Sequence, residues 1–182
     1  MRIISGTAKG TKLFTLDGEL TRPTLDRVKE SIFNIIQNEI KESVFLDLFS
    51  GSGAIALEAA SRGAQKVVAC DESKKAINII NKNIQKTHLQ EIIDVYNSDY
   101  SICLKKLKKI KFDFVYLDPP YKTDYIEKSI RQILEYDLIN ENSKIIIETD
   151  DEKILTEILR LDIEIIDKRK YGRAIIAFLK KK

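Results

Sequence analysis

The chain has 182 residues, of which 43% are hydrophobic and 32% charged, and its formal net charge is +3. These values are typical of one soluble globular domain and exclude a disordered chain, while so mild a charge does not identify a partner. Two isolated cysteines and one histidine argue against a disulfide framework, a histidine-based triad and a multi-histidine metal site. Neither a secretory signal nor a long apolar run is present, which predicts a cytoplasmic protein with no membrane partner. The few cysteines and the single histidine predict no metal.

Residues 1–40 differ from the rest of the chain and predict a hairpin followed by a helix. Two short runs, over 2–5 and 11–16, flank a loop with two glycines, as in a small β-hairpin. Thr24 is a candidate N-cap for the helix. The apolar face of that helix holds Leu25, Val28, Ile32, Ile35 and Ile36. Together with a core over 41–182, this hairpin and helix are predicted to form a single domain.

From residue 44 onward, strand and helix patterns alternate. The predicted strands cover 44–49, 66–70, 92–96, 112–117, 144–148, 163–167 and 173–179. The predicted helices cover 54–61, 74–86, 100–109, 124–136 and 153–161. Alternation predicts a mostly parallel sheet with helices on both faces, whereas the last two strands share a short turn and must be antiparallel. The fold class is therefore α/β: a Rossmann-like, doubly wound, mostly parallel seven-stranded sheet with an antiparallel C-terminal hairpin strand.

A stiff turn follows the strand over 112–117 and carries Asp118, Pro119, Pro120 and Tyr121. The prolines cannot donate to a sheet ladder, and each biases its predecessor away from the helical region. The chain therefore leaves the sheet extended, with a carboxylate, a backbone carbonyl and an aromatic ring at the carboxyl end of a strand. Ligands bind at that edge in open α/β sheets. The turn predicts a clamp for a planar substrate that bears an amine.

A glycine turn with Gly51 and Gly53 joins the strand over 44–49 to the next helix, and Asp71 follows Gly51 by 20 residues at the end of the next strand. This spacing suits a nucleoside whose ribose hydroxyls donate to Asp71. Asp47 would repel a pyrophosphate but suits a cation, so the turn favours S-adenosylmethionine over NAD. Asp99, after the third strand, could accept from an adenine amine, cap a helix, or do both. The alternative for the glycine turn is a structural connection that binds no ligand.

Together, residues 47–53, Asp71, Asp99 and the Asp-Pro-Pro-Tyr turn resemble an S-adenosylmethionine-dependent methyltransferase of the Rossmann-like class. The N-terminal segments narrow the resemblance to the bacterial RsmD-type family, and residues 171–173 also fit it. These segments are 2–6, 9–10, 12–13, 22–24, 26–30 and 33–34. The resemblance runs nearly end to end, with Ser5 as one departure where the family more often has glycine.

The resemblance implies methylation of the N2 amine of guanine 966 in 16S ribosomal RNA, with S-adenosylmethionine as cofactor. It also implies a catalytic role for the turn: Asp118 and the Pro119 carbonyl would accept the amine hydrogens, Pro120 would stiffen the turn, and Tyr121 would stack on the base. Whether Asp118 also takes the proton is open. By the same resemblance, the residues that bind the cofactor are Asp47, Phe49, Ser50, Gly51, Gly53, Asp71 and Asp99.

The expected partner is 16S rRNA in the small ribosomal subunit or in an assembly intermediate, bound by a monomer. The candidate RNA-binding residues are Lys9, Lys12, Arg22, Thr24, Arg27 and Lys122. A denser lysine run, over 105–109, is interpreted instead as a solvated helix face. An ionised carboxylate in the turn favours guanine, because N1–H and the N2 amine are adjacent donors and a carboxylate only accepts.

Two other functions remain open from the sequence. A DNA adenine-N6 or protein glutamine-N5 methyltransferase would use the same chemistry on another amine. A non-catalytic RNA-binding assembly factor could keep the fold without the activity, although the intact Asp-Pro-Pro-Tyr turn argues against it.

Overall fold

The seven strands form one sheet in the order β3-β2-β1-β4-β5-β7-β6, in a computed structural model that describes residues 1–16, 23–120 and 123–182. The strands are β1 (Val44–Asp47), β2 (Lys66–Asp71), β3 (Ile93–Asn97), β4 (Phe112–Leu117), β5 (Ile139–Thr149), β6 (Ile163–Tyr171) and β7 (Ala174–Lys181). The first five pair in parallel, and β7 pairs antiparallel with both β5 and β6. This confirms the Rossmann-like α/β fold and its antiparallel C-terminal hairpin.

Six helices, counted over the described residues, cover the two faces of the sheet. They are α1 (Pro23–Ile35), α2 (Ala54–Ser61), α3 (Lys74–Thr87), α4 (Tyr100–Lys106), α5 (Tyr125–Glu135) and α6 (Glu152–Ile158). One apolar core joins α1, α2 and α3 to the sheet and a second joins α4, α5 and α6 to the opposite face. Both cysteines are buried as free thiols. Within the described residues, no helix has the length and apolarity that a membrane crossing requires.

Several elements differ in length from their sequence patterns. The strand predicted over 144–148 begins at Ile139 with a register shift beside β4, and the one predicted over 163–167 continues to Tyr171. The helix predicted over 100–109 ends at Lys106, where Leu107 takes a non-helical position. Edge pairing lengthens the C-terminal hairpin, because each added residue of β6 finds a partner on β7.

The N-terminal segment is a hairpin reduced to one antiparallel bridge, between Arg2 and Lys12. The segment is instead anchored to α2. The backbone N–H groups of Ile4 and Ser5 donate to Glu58 Oε2 and Oε1 at 2.8 and 3.0 Å. Because Glu58 is fully buried, these bonds replace the water that its carboxylate would otherwise need.

Glu58 also forms two ion pairs. Lys29 Nζ lies 3.3 Å from Glu58 Oε2, and Arg62 Nε lies 2.7 Å from Glu58 Oε1. Burial lowers the pKa of Lys29, and the charge of Glu58 opposes that shift. The two cations and two backbone donors together make the buried carboxylate tolerable, and they join α1, α2 and the N-terminal segment at one point.

Gly6 fixes the close approach of the N-terminal loop to α2. Its φ is +87°, and a Cβ added there would lie 1.7 Å from the carbonyl oxygen of Ser61. Further along the segment, Asn83 donates to the carbonyl oxygens of Phe14 and Ser52 at 2.9 and 3.0 Å. The segment therefore runs along α2, from its C-terminal end at Ser61 to the glycine turn at Ser52.

Candidate active site

The carboxyl ends of β1, β2, β3 and β4 surround a cavity of about 330 Å³, within the usual size range of small-molecule sites. Parallel strands place their carboxyl ends at one edge of the sheet, so the turns that follow them converge there. The cavity is lined by Leu48, Phe49, Gly51, Asp71, Glu72, Ser98, Asp99, Tyr100, Asp118, Pro119, Pro120 and Tyr125. Residues predicted for the cofactor and for catalysis thus share one cavity.

The glycine turn is set by its own backbone and by Asp71. The Gly51 N–H donates to Asp71 Oδ2 at 2.9 Å, and the Ser73 N–H donates to Oδ1 at 2.8 Å. Gly53 has φ +80° as the N-cap of α2, and a Cβ there would lie 3.1 Å from Ile80. Each Asp71 oxygen can accept a further hydrogen bond, and Asp71 borders the cavity, so this carboxylate could accept from a ribose diol.

Asp99 is both a helix cap and part of the cavity wall. Its Oδ1 accepts from the backbone N–H groups of Ser101 and Ile102 at 2.8 and 3.3 Å, which confirms the capping role. The same side chain borders the cavity. One carboxylate oxygen therefore fixes the start of α4, and the adenine contact remains a proposal.

Asp47 lies beneath the glycine turn rather than in the cavity wall. It is 1% exposed, and its Oδ2 accepts from the Ala56 N–H at 3.1 Å in the first turn of α2. Its Oδ1 has no hydrogen-bond partner among the residues described. Burial raises the Asp47 pKa to about 7, the Ala56 N–H opposes the shift, and the charge of Asp71 adds to it.

Ser50 and Gly53 also stand behind the wall. The Ser50 hydroxyl donates to the Asp47 carbonyl oxygen at 2.8 Å, and the Gly53 N–H donates to the Ser50 carbonyl oxygen at 2.7 Å. Neither residue borders the cavity. Their contacts hold the shape of the turn that presents Gly51 and Phe49.

Three aromatic rings form one wall of the cavity. Phe49 lies 5.5 Å from Tyr100 and 6.2 Å from Tyr125, while Tyr100 and Tyr125 are 4.9 Å apart, measured between ring centroids. Sequence reasoning selected only Phe49. The signal for Tyr100 was its place directly after Asp99; Tyr125 opens a helix, and nothing local distinguishes it from a core residue. Such a wall suits a flat, partly apolar ligand.

A partly buried hydrogen bond lies next to the turn that begins at Asp118. Asp118, Pro119 and Pro120 follow β4 and border the cavity. Two residues before Asp118, the Tyr116 hydroxyl donates to Glu148 Oε2 at 2.5 Å. Burial raises the pKa of Tyr116 and that of Glu148. Since Leu117 pairs with Ile147, Glu148 lies across from Asp118 on the next strand, a position that the sequence did not reveal.

A second cavity, of about 520 Å³, lies on the other side of the two prolines. It borders α5, α6 and the end of β5, and Pro119 and Pro120 separate it from the first cavity. Thr123 closes the turn by donating its hydroxyl to the Pro120 carbonyl oxygen at 2.9 Å. Tyr121 and Lys122 lie outside the described residues.

The candidate RNA-binding residues are dispersed. Arg27 is exposed on α1, whereas Lys9 is exposed beside the C-terminal end of α2, at the sheet edge opposite the cavity. Lys12 is exposed at the single bridge to Arg2. Arg22 and the side chain of Thr24 lie outside the part that the structure describes. In that part, no group of three or more His, Cys, Asp or Glu side chains could hold a metal ion.

Comparison with known proteins identifies the family. The family model described as Conserved hypothetical protein 95 matches residues 1–180. Bacillus subtilis YlbH is 38% identical over 100% of both chains. Ribosomal RNA small subunit methyltransferase D of Haemophilus influenzae is 36% identical over 85% of this chain and 81% of its own length.

A solved structure agrees with these sequence relationships. The Escherichia coli protein yhhF has a TM-score of 0.88 and 27% identity, covering 100% of this chain and 98% of its own. The match includes the N-terminal segment as well as the Rossmann-like core. The chain therefore belongs to the RsmD-type methyltransferase family, whose model is described as Conserved hypothetical protein 95.

Proposed function

We propose that this chain transfers a methyl group from S-adenosylmethionine to the N2 amine of a guanine in 16S ribosomal RNA, at position 966. One observation carries the proposal: Asp118, Pro119 and Pro120 border the same cavity as Gly51 and Asp71. The turn at Asp118, which suits an amine, and the glycine turn, which suits a nucleoside, thus border the same cavity. The relative named ribosomal RNA small subunit methyltransferase D supports RNA of the small subunit as substrate.

The residues present fit S-adenosylmethionine. Asp71 borders the cavity, where its carboxylate would accept hydrogen bonds from the ribose hydroxyls. The rings of Phe49, Tyr100 and Tyr125 offer an apolar wall. The buried Asp47 Oδ1, which no described residue bonds, is the kind of acceptor that an ammonium group satisfies. When bound, the cofactor supplies an electrophilic methyl group on a sulfonium.

Catalysis by the chain itself consists of alignment and electrostatics. A guanine amine is a weak nucleophile because its lone pair is delocalised into the ring. Asp118 and the Pro119 carbonyl accept one amine hydrogen each, which directs the lone pair toward the methyl carbon. The new N–C bond forms as the C–S bond breaks and its electron pair stays on sulfur. The amine then carries a positive charge, and Asp118 stabilises it.

The amine must lose a proton after methyl transfer. Asp118, which already accepts a hydrogen bond from the amine, is the candidate proton acceptor. Two residues before Asp118, the Tyr116 hydroxyl bonds Glu148 on the neighbouring strand, which helps to fix the end of β4. Tyr121 stacks on the target base, which has left its own stack to enter the site. Among the candidate phosphate contacts, Arg27 lies on α1, the helix that starts at the cavity edge.

A substrate comparison tests the proposal. The protein is incubated with methyl-labelled S-adenosylmethionine and, separately, with small-subunit particles, naked 16S rRNA, adenine-containing DNA and a release factor. We expect label in the RNA, recovered as N2-methylguanosine. Label only in DNA or only in the release factor would move the function to the adenine-N6 or glutamine-N5 reaction. No label in any substrate, with RNA binding retained, would favour a non-catalytic assembly factor.

A further inference from the structure

The turn between β6 and β7 lies at the same sheet edge as the candidate active site. β7 is antiparallel to β5, so its first residues meet the carboxyl end of β5, where Ile175 pairs with Thr149. Asp118 follows β4 at that edge. Two to three strand spacings separate β4 from this turn, which is roughly 10–15 Å. The turn is therefore within reach of nucleotides that flank a base held at Asp118.

A hydroxyl contact joins this turn to α1. The Tyr171 hydroxyl hydrogen-bonds the Ser31 hydroxyl, across 140 residues of sequence. Arg27 lies four residues before Ser31 and so on the same helix face, one turn nearer the start of α1. That start faces the cavity edge, because α1 leads through residues 36–43 to the amino end of β1. Arg27 and the β6–β7 turn thus lie side by side.

Two exposed cations at this junction, Arg27 and Arg173, have no ion-pair partner among the described residues. Lys170 does not belong to the junction, because it pairs with Ile175 on the face of the sheet that α6 covers, opposite α1. Two nearby cations of β6 differ, since Lys168 pairs with Glu152 at 2.6 Å and Arg169 with Asp167 at 3.0 Å. Paired cations are neutralised locally. Arg27 and Arg173, which are unpaired among the described residues, are available to an anionic partner.

We propose that Arg27 and Arg173 form one phosphate-binding surface, the hairpin–helix surface, which receives the RNA backbone beside the target guanine. This inference rests on the proposed function and deepens it by assigning the C-terminal hairpin to substrate binding. Charge density alone would have selected the lysine run over 105–109. That run follows α4 and precedes β4, so it lies at the opposite edge of the sheet, away from Asp118.

The test measures the affinity of the full chain for 16S rRNA by filter binding over a series of salt concentrations. The double variant Arg27→Ala with Arg173→Ala is compared with the matched control Lys106→Ala with Lys109→Ala, which removes two exposed cations from the far edge. We expect about tenfold weaker binding for the first variant, and a salt dependence that is shallower by about 1.5 log units per decade. The control keeps both values.

A third variant separates position from charge. Tyr171→Phe keeps every cation and removes only the hydroxyl that bonds Ser31. We expect a smaller loss of affinity at an unchanged salt slope, because the number of phosphate contacts stays the same. Binding of the cofactor product S-adenosylhomocysteine is expected to be equal in all variants, since none of these residues borders the cavity.

The outcomes separate this surface from the proposed function. If the wild-type protein methylates 16S rRNA and the two double variants bind RNA with equal affinity, only the hairpin–helix surface is overturned. Wild type that transfers no methyl group to RNA contradicts the proposed function. Loss of affinity for assembled particles with unchanged affinity for naked RNA would assign the surface to a ribosomal protein and overturn an RNA backbone as its partner.

Discussion

The backbone N–H of Gly51 donates to Asp71 Oδ2 at 2.9 Å, so the glycine turn after β1 and the carboxylate after β2 position each other. The bond links the two features that point to a nucleoside. The Asp71 carboxylate cannot rotate freely, because the Ser73 N–H holds its other oxygen. A ligand that uses Asp71 therefore meets an acceptor whose direction is fixed before binding.

The first prediction concerns this carboxylate. Asp71→Ala removes the acceptor for the ribose and frees the glycine turn, so we expect S-adenosylhomocysteine to bind roughly 10- to 100-fold more weakly, measured by calorimetry. Asp94→Ala on β3 is the matched control, because Asp94 is exposed and pairs with Lys66 away from the cavity. Equal affinities in the two variants would remove Asp71 from the cofactor site.

The second prediction concerns the pH dependence of stability that Asp47 creates. Burial raises its folded-state pKa to about 7 from an ordinary value of 3.8. The folded chain then binds more protons than the unfolded chain between these values, so the contribution of Asp47 to stability falls as pH rises from 4 to 7. Above pH 7 the folded chain bears the full destabilisation that comes from ionising the buried Asp47 carboxylate.

Asp47→Asn keeps the shape and an acceptor for the Ala56 N–H but cannot ionise. We expect the variant to gain thermal stability over wild type at pH 8 and little at pH 5, by up to about 1.4 kcal/mol for each pH unit between them, measured by melting curves. A difference that is the same at both pH values would show that Asp47 does not titrate in this range.

The third prediction concerns the buried anchor of the N-terminal segment. Glu58→Ala leaves Lys29 buried without its counter-charge and strips the Ile4 and Ser5 N–H groups of their acceptor. We expect a loss of about 3–5 kcal/mol in the free energy of unfolding, measured by denaturant titration. Glu39→Ala is the comparison, since Glu39 pairs with Lys144 at the surface and should cost less than about 1 kcal/mol. Similar losses would contradict the anchoring role.

Local sequence patterns were sufficient to predict the order of strands, helices and functional turns along the chain. They did not predict contacts between segments that are far apart in sequence. The run from Phe112 to Leu117 predicted a strand, and that strand is present, with Asp118, Pro119 and Pro120 following it at the cavity. Glu58 lies in an otherwise apolar and small-residue helix, and only the tertiary fold shows that residues 53 and 54 positions earlier bond to it. Non-local hydrogen bonds leave no periodic signal in a single sequence.

Charge was the weaker guide to where the candidate RNA-binding residues lie in the fold. Lys9 and Arg27 were both selected from the N-terminal segment, yet Lys9 lies beside the end of α2 and Arg27 lies on the helix that starts near the cavity. The contact between Ser31 and Tyr171 could not be anticipated, because 140 residues separate them. Which end of a helix or strand faces the site depends on topology, and charge patterns do not contain that information.

The central claim is that the turn at Asp118 methylates a guanine amine of 16S rRNA, and nucleoside mass spectrometry of cells tests it most directly. A strain that lacks this protein receives either wild type or Asp118→Ala, and N2-methylguanosine is quantified in its purified 16S rRNA. We expect wild type to restore the nucleoside and Asp118→Ala to leave it absent, with the purified variant about 10²- to 10⁴-fold slower. Unchanged N2-methylguanosine in the deletion strain, or full restoration by Asp118→Ala, would contradict the claim.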